Sequence, residues 1–186
     1  MNNVELKARI IEANIDIVDI NGFKYHLHKI EVGTLKGFKV LLPIFNDIMV
    51  GDCIVTTDWE LTRFGNEEPI DLCLRVDKFE IDSSSDFIPS KFIIAEVTGM
   101  FLSSEKCYLR TVGPTEKPFY MATLKVRDSH LEPFPNVLVA FGNQAKRLST
   151  VKKTSVLKCT VTVKERRLDD GYELAVNNFE IISEGK

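Results

Sequence analysis

Two ten-residue runs, one hundred positions apart, share an unusual break in their alternation of apolar and polar residues. Residues 72–81 read LCLRVDKFEI and residues 172–181 read YELAVNNFEI. In both runs, alternating apolar residues are followed by two polar residues, and the alternation then resumes one step out of phase. One extra residue that reverses the facing of a strand is the sequence pattern of a β-bulge. The shared break predicts two copies of one β unit.

The stretch between the two copies is typical of a linker. Residues 81–90, IDSSSDFIPS, combine a run of three serines with a proline between two strand-like runs. We therefore expect an N-terminal domain over 1–82, a linker over 83–90 and a C-terminal domain over 91–186. Alternation predicts strands near 5–19, 23–32, 37–45, 52–64 and 69–81 in the first half, and near 92–101, 107–112, 119–127, 136–142, 155–167 and 171–182 in the second.

One segment alone shows helical periodicity. NQAKRLSTVKK, residues 143–153, places Ala145, Leu148 and Val151 at helical spacing between the third and fourth long strands of the second half. Five strands with a short helix at this point are the layout of an OB fold, a small Greek-key barrel. The matching connection in the first half, NDIMVG, is too short for that helix. The predicted fold class is all-β, with two tandem OB-like five-stranded barrels and a short helix only in the second.

Charge divides the chain along the same line. The net charge of the chain is −3. Residues 1–90 contain 9 Lys and Arg and 16 Asp and Glu, a net charge of −7, and residues 91–186 contain 15 Lys and Arg and 11 Asp and Glu, a net charge of +4. A polyanion is expected to bind the basic half, because phosphate contacts dominate nucleic-acid affinity. We expect the acidic half to serve oligomerisation or partner binding. The aromatic residues that either line such an interface or form the core of this half are Phe38, Phe45, Trp59 and Phe64.

Motifs for catalysis and metal binding are absent from the sequence. The four cysteines form no Cys-x-x-Cys pair and indicate reduced thiols of a cytoplasmic protein: Cys53, Cys73, Cys107 and Cys159. The three histidines lack zinc-ligand spacing: His26, His28 and His130. Without a phosphate-binding loop or a hydrolase motif, we expect no enzyme activity, no metal and no cofactor. No apolar run predicts a transmembrane helix, and the first residues lack the apolar core of a signal peptide.

The second long strand of the basic half has a face that suits a single-stranded nucleic acid. In FYMATLKVRD, residues 119–128, one face of the strand carries Phe119, Lys125 and Arg127, and the opposite face is apolar. Bases stack on aromatic rings while cations track the phosphates. The alternative is that Phe119 and Met121 pack under a loop or in a subunit interface.

The fourth strand of the basic half carries cations on its polar face. In SVLKCTVTVKERRLDDGYEL, residues 155–174, one face carries Lys158, Lys164 and Arg166 without a carboxylate, and the other face is apolar from Leu157 to Val163. The hairpin arm also carries Arg167. The pattern fits a nucleic-acid surface, and it fits a solvent-facing hairpin with solubilising charge equally well.

Phe141 ends the third strand and leads directly into a basic segment. The strand VLVAF is apolar on both faces, so its sequence leaves open whether Phe141 is core or exposed. Lys146 and Arg147 follow in the predicted helix. Lys152 and Lys153 at the helix end are expected to be solubilising charge rather than contacts.

Four segments together resemble the bacterial single-stranded DNA-binding proteins. FIIAEVTGMF, PFYMATLKVRD, NVLVAFGNQAKRL and VLKCTVTVKERRL occur in the family's order over about residues 91–182. The V-x-G motif corresponds to Val97–Gly99, the second strand's F-x-L motif falls at Met121–Leu124, and FG-x-x-A corresponds to Phe141–Ala145. Single residues often differ from the family pattern.

The resemblance implies specific roles for several positions. Phe141 would stack on a base, and Lys164, Arg166 and Arg167 would hold the backbone. Leu168 falls where many members have a stacking tryptophan, so one platform would be lost. The family's acidic, Phe-terminated tail has no match in FEIISEGK. Members with two barrels per chain act as dimers, which favours a homodimer.

The sequence thus predicts a non-enzymatic, cytoplasmic protein that binds single-stranded DNA without sequence preference, in replication, recombination or repair. RNA is the other ligand that such a face would accept, and no membrane is expected. The alternative is a tandem-OB module for protein–protein or structural contacts, from a phage or mobile element, without DNA binding. The candidate nucleic-acid-binding residues are Phe119, Lys125, Arg127, Phe141, Lys146, Arg147, Lys158, Lys164, Arg166, Arg167 and Tyr172.

Overall fold

The computed structural model describes residues 4–44, 47–64, 71–103, 109–129, 131–166 and 171–185. Over these ranges almost all of the regular secondary structure is strand, and the chain divides into two compact units, Met1–Ala95 and Glu96–Lys186. The predicted all-β fold with two five-stranded barrels is confirmed. No helix in these ranges is long and apolar enough to cross a membrane.

The first unit is a barrel of five strands. They are β1 (Leu6–Ile20), β2 (Phe23–Val32), β3 (Leu35–Pro43), β4 (Cys53–Phe64) and β5 (Asp71–Ile81). Antiparallel pairing joins β1 to β2 and β4, β2 to β3, and β4 to β5, and a parallel pairing of β3 with β5 closes the barrel. Phe38 and Trp59 are buried core residues, and Trp59 Nε1 donates to the carbonyl oxygen of Val4 at 2.8 Å. Phe64 is half-buried, and Phe45 lies outside the described residues.

The second unit adds one short strand and one helix to the same plan. Its elements are β6 (Ile94–Leu102), β7 (Arg110–Val112), β8 (Lys117–Val126), β9 (Phe134–Phe141), α1 (Gly142–Leu148), β10 (Val156–Glu165) and β11 (Tyr172–Ser183). The sheet order is β6-β10-β11-β9-β8-β7, and pairing of β6 with β8 closes the barrel. The α1 helix buries Ala145 and Leu148, two of the three residues that predicted it, and ends before Val151. The described part of the first unit has no helix, as the short connection predicted.

Both barrels contain the β-bulge that the repeated run predicted. In the first unit, Asp58 pairs with Lys78 and Trp59 pairs with Val76, which leaves Asp77 without a position in the ladder. In the second, the pairing passes from Thr160–Asn178 to Val161–Val176, which leaves out Asn177 in the same way. One extra residue in the last strand therefore reverses its facing at the same point of each barrel.

The end of the predicted linker is attached to the first unit. No strand is described between the end of β5 at Ile81 and the start of β6 at Ile94. Ser90 donates its backbone N–H to the carbonyl oxygen of Lys7 at 2.8 Å, and its Oγ accepts from the Lys7 N–H at 2.9 Å. These bonds hold the segment beside β1.

Close approaches of the backbone require glycine at positions 33 and 99. Gly33, in the β2–β3 turn, has φ +57°, and a Cβ there would overlap the carbonyl oxygen of Lys91. Gly99, the last residue of the Val-x-Gly motif, lies where a Cβ would meet the carbonyl oxygen of Lys125 at 2.6 Å. Glycine at position 99 thus lets β6 approach β8 closely enough to close the second barrel.

Candidate nucleic-acid interface

The β8 strand presents one buried and one outward face, as its alternation predicted. Tyr120, Ala122, Leu124 and Val126 are buried in the barrel. The opposite face consists of Phe119, Met121, Thr123 and Lys125, of which Met121 is 46% exposed.

Phe119 and Phe141 form an aromatic pair on this outward face. They lie directly opposite each other in the β8–β9 ladder, with ring centroids 5.1 Å apart and ring planes tilted by 56°. Tilted pairs at this distance are a favourable arrangement of two aromatic rings. Phe141 is 42% exposed, which answers the question that its sequence left open. An aromatic surface is therefore available beside the end of β9.

A cation lies over the outer flank of each ring. The guanidinium carbon of Arg110, on β7, is 4.8 Å from the Phe119 ring centroid, and Lys164 Nζ, on β10, is 5.9 Å from the Phe141 centroid. We call these four residues, in the order Arg110, Phe119, Phe141 and Lys164, the aromatic row. Arg110 is a member that the sequence interpretation missed. It lies opposite Phe119 in a three-residue strand too short for an alternation pattern.

The outward face of β10 is less purely basic than its own sequence indicates. Leu157, Cys159, Val161 and Val163 are buried, and Lys158 and Lys164 point outward, as predicted. In the β10–β11 ladder, however, Lys158 lies opposite Glu180 and Lys164 lies opposite Glu173. The carboxylates come from a neighbouring strand, which the sequence of β10 could not reveal.

Lys158 also has an ion-pair partner. Its Nζ is 3.6 Å from the Glu96 carboxylate on β6, and both side chains are 44% exposed. An exposed pair of this kind contributes little to stability. It does place a negative charge beside one of the proposed phosphate contacts.

The two basic residues of α1 have different surroundings. Lys146 is exposed. Arg147 donates to the carbonyl oxygen of Phe179 at 3.3 Å and to Asn178 Oδ1 at 3.4 Å, and its guanidinium lies 4.7 Å from the Phe179 ring centroid. Together with Gln144, which donates to the carbonyl oxygen of Asn177 at 3.1 Å, Arg147 attaches the helix to the bulge of β11.

The remaining candidate residues lie at the borders of this surface. Lys125 is half-buried, opposite Met100 on β6 and Pro135 on β9, and Arg127 is exposed just after β8. Arg166 and Tyr172 lie where the β10–β11 hairpin opens, and the Arg166 N–H donates to the carbonyl oxygen of Gly171 at 2.9 Å. Arg167 and Leu168 lie outside the described residues.

The corresponding face of the first unit lacks the aromatic pair. When the two runs are aligned at their bulges, Leu74 corresponds to Leu174. In the parallel ladders, Leu74 pairs with Val40 and Leu174 pairs with Leu138. Three residues further along each strand, the position of Phe141 is therefore taken by Pro43. Its partner across the ladder is Tyr25 in place of Phe119. Tyr25 is buried, so no exposed ring lies there.

A buried polar cluster fills that face of the first unit instead. The guanidinium of Arg75, which is 1% exposed, bonds to the Glu60 carboxylate and lies 3.6 Å from Asp77. The Tyr25 hydroxyl donates to Asp77 at 2.9 Å. Burial, followed by this hydrogen bond, raises the pKa of Tyr25 to about 12, so the hydroxyl stays protonated. Two carboxylates thus balance the charge of the buried guanidinium.

The described histidines, cysteines and carboxylates form no metal-binding group. Among the described residues, no three side chains of His, Cys, Asp or Glu are grouped so that they could hold a metal ion. No disulfide joins the described cysteines Cys53, Cys73 and Cys159, and burial raises the pKa of Cys159 to about 12. Cys107 and His130 lie outside the described residues.

The fold defines the chain as a tandem OB-fold protein, and the comparisons agree at the level of fold. No protein-family model and no curated protein sequence matches the chain. The crystal structure of the wild-type single-stranded DNA-binding protein from Thermus aquaticus is similar over 100% of this chain and 96% of its own, with 12% identity and a TM-score of 0.65. A deletion mutant of that protein is similar over 98% and 95%, with 12% identity and a TM-score of 0.67. The two-barrel arrangement expected from the sequence resemblance is thus confirmed as a fold.

Proposed function

We propose that this protein binds single-stranded DNA without catalysing a reaction, through the aromatic row of the second unit. The observation that carries the proposal is the outward-facing Phe119–Phe141 pair, in which Phe141 is exposed and Phe119 is half-buried, with a cation at each end. Aromatic rings accept the flat faces of bases, and the flanking cations neutralise phosphates. The Thermus aquaticus protein with the same two-barrel fold is a single-stranded DNA-binding protein, which supports this choice of ligand.

The binding is proposed to be independent of sequence. Every base has a face that can stack, whereas discrimination between bases needs hydrogen bonds to their edges. The aromatic row offers rings and cations, which make no such distinction. Single-stranded RNA would be bound by the same contacts, and the preference between DNA and RNA depends on contacts to the sugar.

The two units are proposed to have different tasks. Residues 91–186 are the binding domain, with Lys125, Arg127, Lys146, Arg147, Lys158, Arg166, Arg167 and Tyr172 as further contacts around the aromatic row. Residues 1–82 serve oligomerisation, with a homodimer favoured, or partner binding, and 83–90 link the two. The net charge of −7 over residues 1–90 and the buried cluster at Tyr25 and Arg75 support this division. A cytoplasmic role in replication, recombination or repair fits such a protein.

A protein–protein interaction module of a phage or mobile element is the second candidate. The observation that favours it is the row of carboxylates opposite the β10 lysines, at Glu96, Glu173 and Glu180. A surface with alternating charges and exposed apolar side chains also suits a protein interface. In that case the exposed Phe141 and Met121 would contact a protein partner rather than bases.

Fluorescence anisotropy with a labelled oligo-dT strand separates the two candidates. We expect binding at low salt that weakens steeply as salt is raised, because cations on the protein replace condensed counterions. The absence of binding at low salt would refute the proposal in favour of the interaction module. The combined change Phe141→Ala, Arg166→Ala and Arg167→Ala tests the surface separately. Unchanged affinity in that variant would show that DNA is bound elsewhere on the protein.

A matched control is available in the first unit. Phe23, the first residue of β2, is 64% exposed and lies outside the aromatic row. Phe23→Ala removes an exposed phenyl ring, as Phe141→Ala does, and is expected to leave oligo-dT affinity unchanged. Equal losses in both variants would mean that the protein binds DNA through exposed rings in general rather than through this row.

A further inference from the structure

Both flanks of the Phe119 ring are occupied in the free protein. Phe141 lies on one side, with its centroid at 5.1 Å, and the Arg110 guanidinium lies on the other, at 4.8 Å. Carbon atoms in contact are about 3.5 Å apart, so a base between the ring and the guanidinium would need a gap of about 7 Å. A base therefore cannot stack on Phe119 while Arg110 keeps its place.

We propose that Arg110 covers Phe119 in the absence of nucleic acid and exchanges places with a base when a single strand binds. The inference rests on the proposed function and assigns to Arg110 a role in it that the sequence did not indicate. In the bound state the base stacks on Phe119, and the displaced guanidinium contacts a phosphate of the same strand. Arg110 thus affects binding in two opposite ways: its departure from the ring costs free energy, and its contact with the phosphate neutralises the backbone.

The position of Arg110 makes this exchange feasible. Arg110 is exposed, on a three-residue strand at the edge of the sheet, so its side chain can leave without disturbing the core. An exposed cation over an aromatic ring is a weaker contact than a base stacked on one. The guanidinium also keeps its charge under all conditions and presents a fork of donors that suits phosphate oxygens. Both halves of the exchange therefore favour the bound state.

The contact of Lys164 with Phe141, at the other end of the row, is looser than the contact of Arg110 with Phe119. Lys164 Nζ is 5.9 Å from the Phe141 centroid, and Glu173 lies opposite it in the ladder. Phe141 is thus the more accessible platform, and Phe119 becomes available only after Arg110 moves. We expect a strand to reach Phe141 first.

Nuclear magnetic resonance of the Arg110 side chain tests the exchange directly. A group held over an aromatic ring experiences an upfield ring-current shift, so the Arg110 Hε resonance is expected to lie upfield in the free protein. In the free Phe119→Leu variant this shift should disappear, which identifies its source. Saturation of the wild-type protein with oligo-dT should move the resonance back toward the position that it has in that variant.

The outcomes separate this inference from the proposed function. If oligo-dT binds and the Arg110 resonance keeps its upfield position at saturation, the exchange is refuted while DNA binding stands. If the free protein shows no upfield shift that depends on Phe119, the exchange is refuted as well. If oligo-dT does not bind at low salt, the proposed function itself fails.

The salt dependence of Arg110→Ala supplies a second readout. Loss of one phosphate contact should lower the slope of log K against log salt by about 0.7, so the deficit relative to wild type shrinks about 2.6-fold for each fourfold rise in salt. Because the variant also uncovers Phe119, it should bind more tightly than wild type at the highest salt. A variant that merely approaches the wild-type affinity would show a plain phosphate contact and overturn the exchange. Lys117→Ala, an exposed cation of the same hairpin opposite Val112, is the matched control and should leave the slope unchanged.

Discussion

Removal of the Phe141 ring should weaken binding of oligo-dT by a predictable amount. Stacking of a base on an aromatic side chain is worth about 1–3 kcal/mol. Phe141 is 42% exposed, so less than half of its surface is open to a base, and we expect the lower part of that range. A loss of about 1–2 kcal/mol corresponds to about 5- to 30-fold weaker binding for Phe141→Ala. Phe119→Ala should cost less, because its ring is half-buried and covered by Arg110.

The double variant makes the prediction sharper. The rings are 5.1 Å apart and directly opposite in the ladder, so each one limits the movement of the other. Residues in contact have interaction energies of about 0.5–3 kcal/mol in double-mutant cycles. We therefore expect the double change to cost less than the sum of the two single changes, by at least about 0.5 kcal/mol.

Anisotropy titrations of the four proteins at one fixed salt concentration provide the binding energies, and urea unfolding checks that each variant is folded. The aromatic pair contributes only about 0.5–1.5 kcal/mol beyond its buried area, so the fold should survive both changes. Additive losses would refute the view that the two rings act as one platform. Affinity of Phe141→Ala within twofold of wild type would refute its use as a platform at all.

Three further predictions concern stability and charge. Burial lowers the pKa of His28 to about 4, so His28 binds a proton more tightly in the unfolded chain. The free energy of unfolding should therefore fall by about 2 kcal/mol as pH drops from 7 to 5. Urea unfolding should show this slope in wild type and lose it in His28→Asn. Gly33→Ala places a Cβ against a backbone carbonyl oxygen at a positive φ and should destabilise the first barrel by at least about 1 kcal/mol. Thermal unfolding measures this loss, and Gly37→Ala, at a positive φ without crowding, is the control. Lys158→Ala should reduce the salt slope of DNA binding less than Lys164→Ala, because Lys158 already has an ion-pair partner; equal reductions would contradict the importance of that pair.

Much of the fold was predictable because it follows from local pattern. Alternation along the chain located the strands, and the break in alternation located the bulges at Asp77 and Asn177. A bulge reverses the facing of side chains within a few consecutive residues, so a single sequence is enough to detect it. The same reasoning separated the buried Tyr120 and Leu124 from the outward Phe119 and Met121.

The site was less predictable because its members come from different strands. Phe141 ends a strand with apolar residues on both faces, so periodicity could not assign its exposure. Arg110 joins the row through a cross-strand register that no local pattern encodes. The glutamates opposite Lys158 and Lys164 were missed for the same reason. Cross-strand neighbours depend on the pairing of β7, β8, β10 and β11, and only the folded chain supplies that pairing.

The buried guanidinium of the first barrel limits how freely the two halves of the gene could exchange segments. The runs 72–81 and 172–181 have the same alternation of faces and the bulge at the same position. Arg75, however, corresponds to Ala175, and its cross-strand partner Glu60 corresponds to Thr162. Transfer of the first run into the second barrel would keep Asp77 beside the guanidinium but place a hydroxyl where Glu60 bonds to it, and removal of one partner of a buried ion pair costs about 3–5 kcal/mol. Recombination between the two copies would therefore yield chains that follow the correct path and fail to fold stably. Such a barrier preserves the difference between an acidic and a basic barrel once a duplicated chain has acquired it.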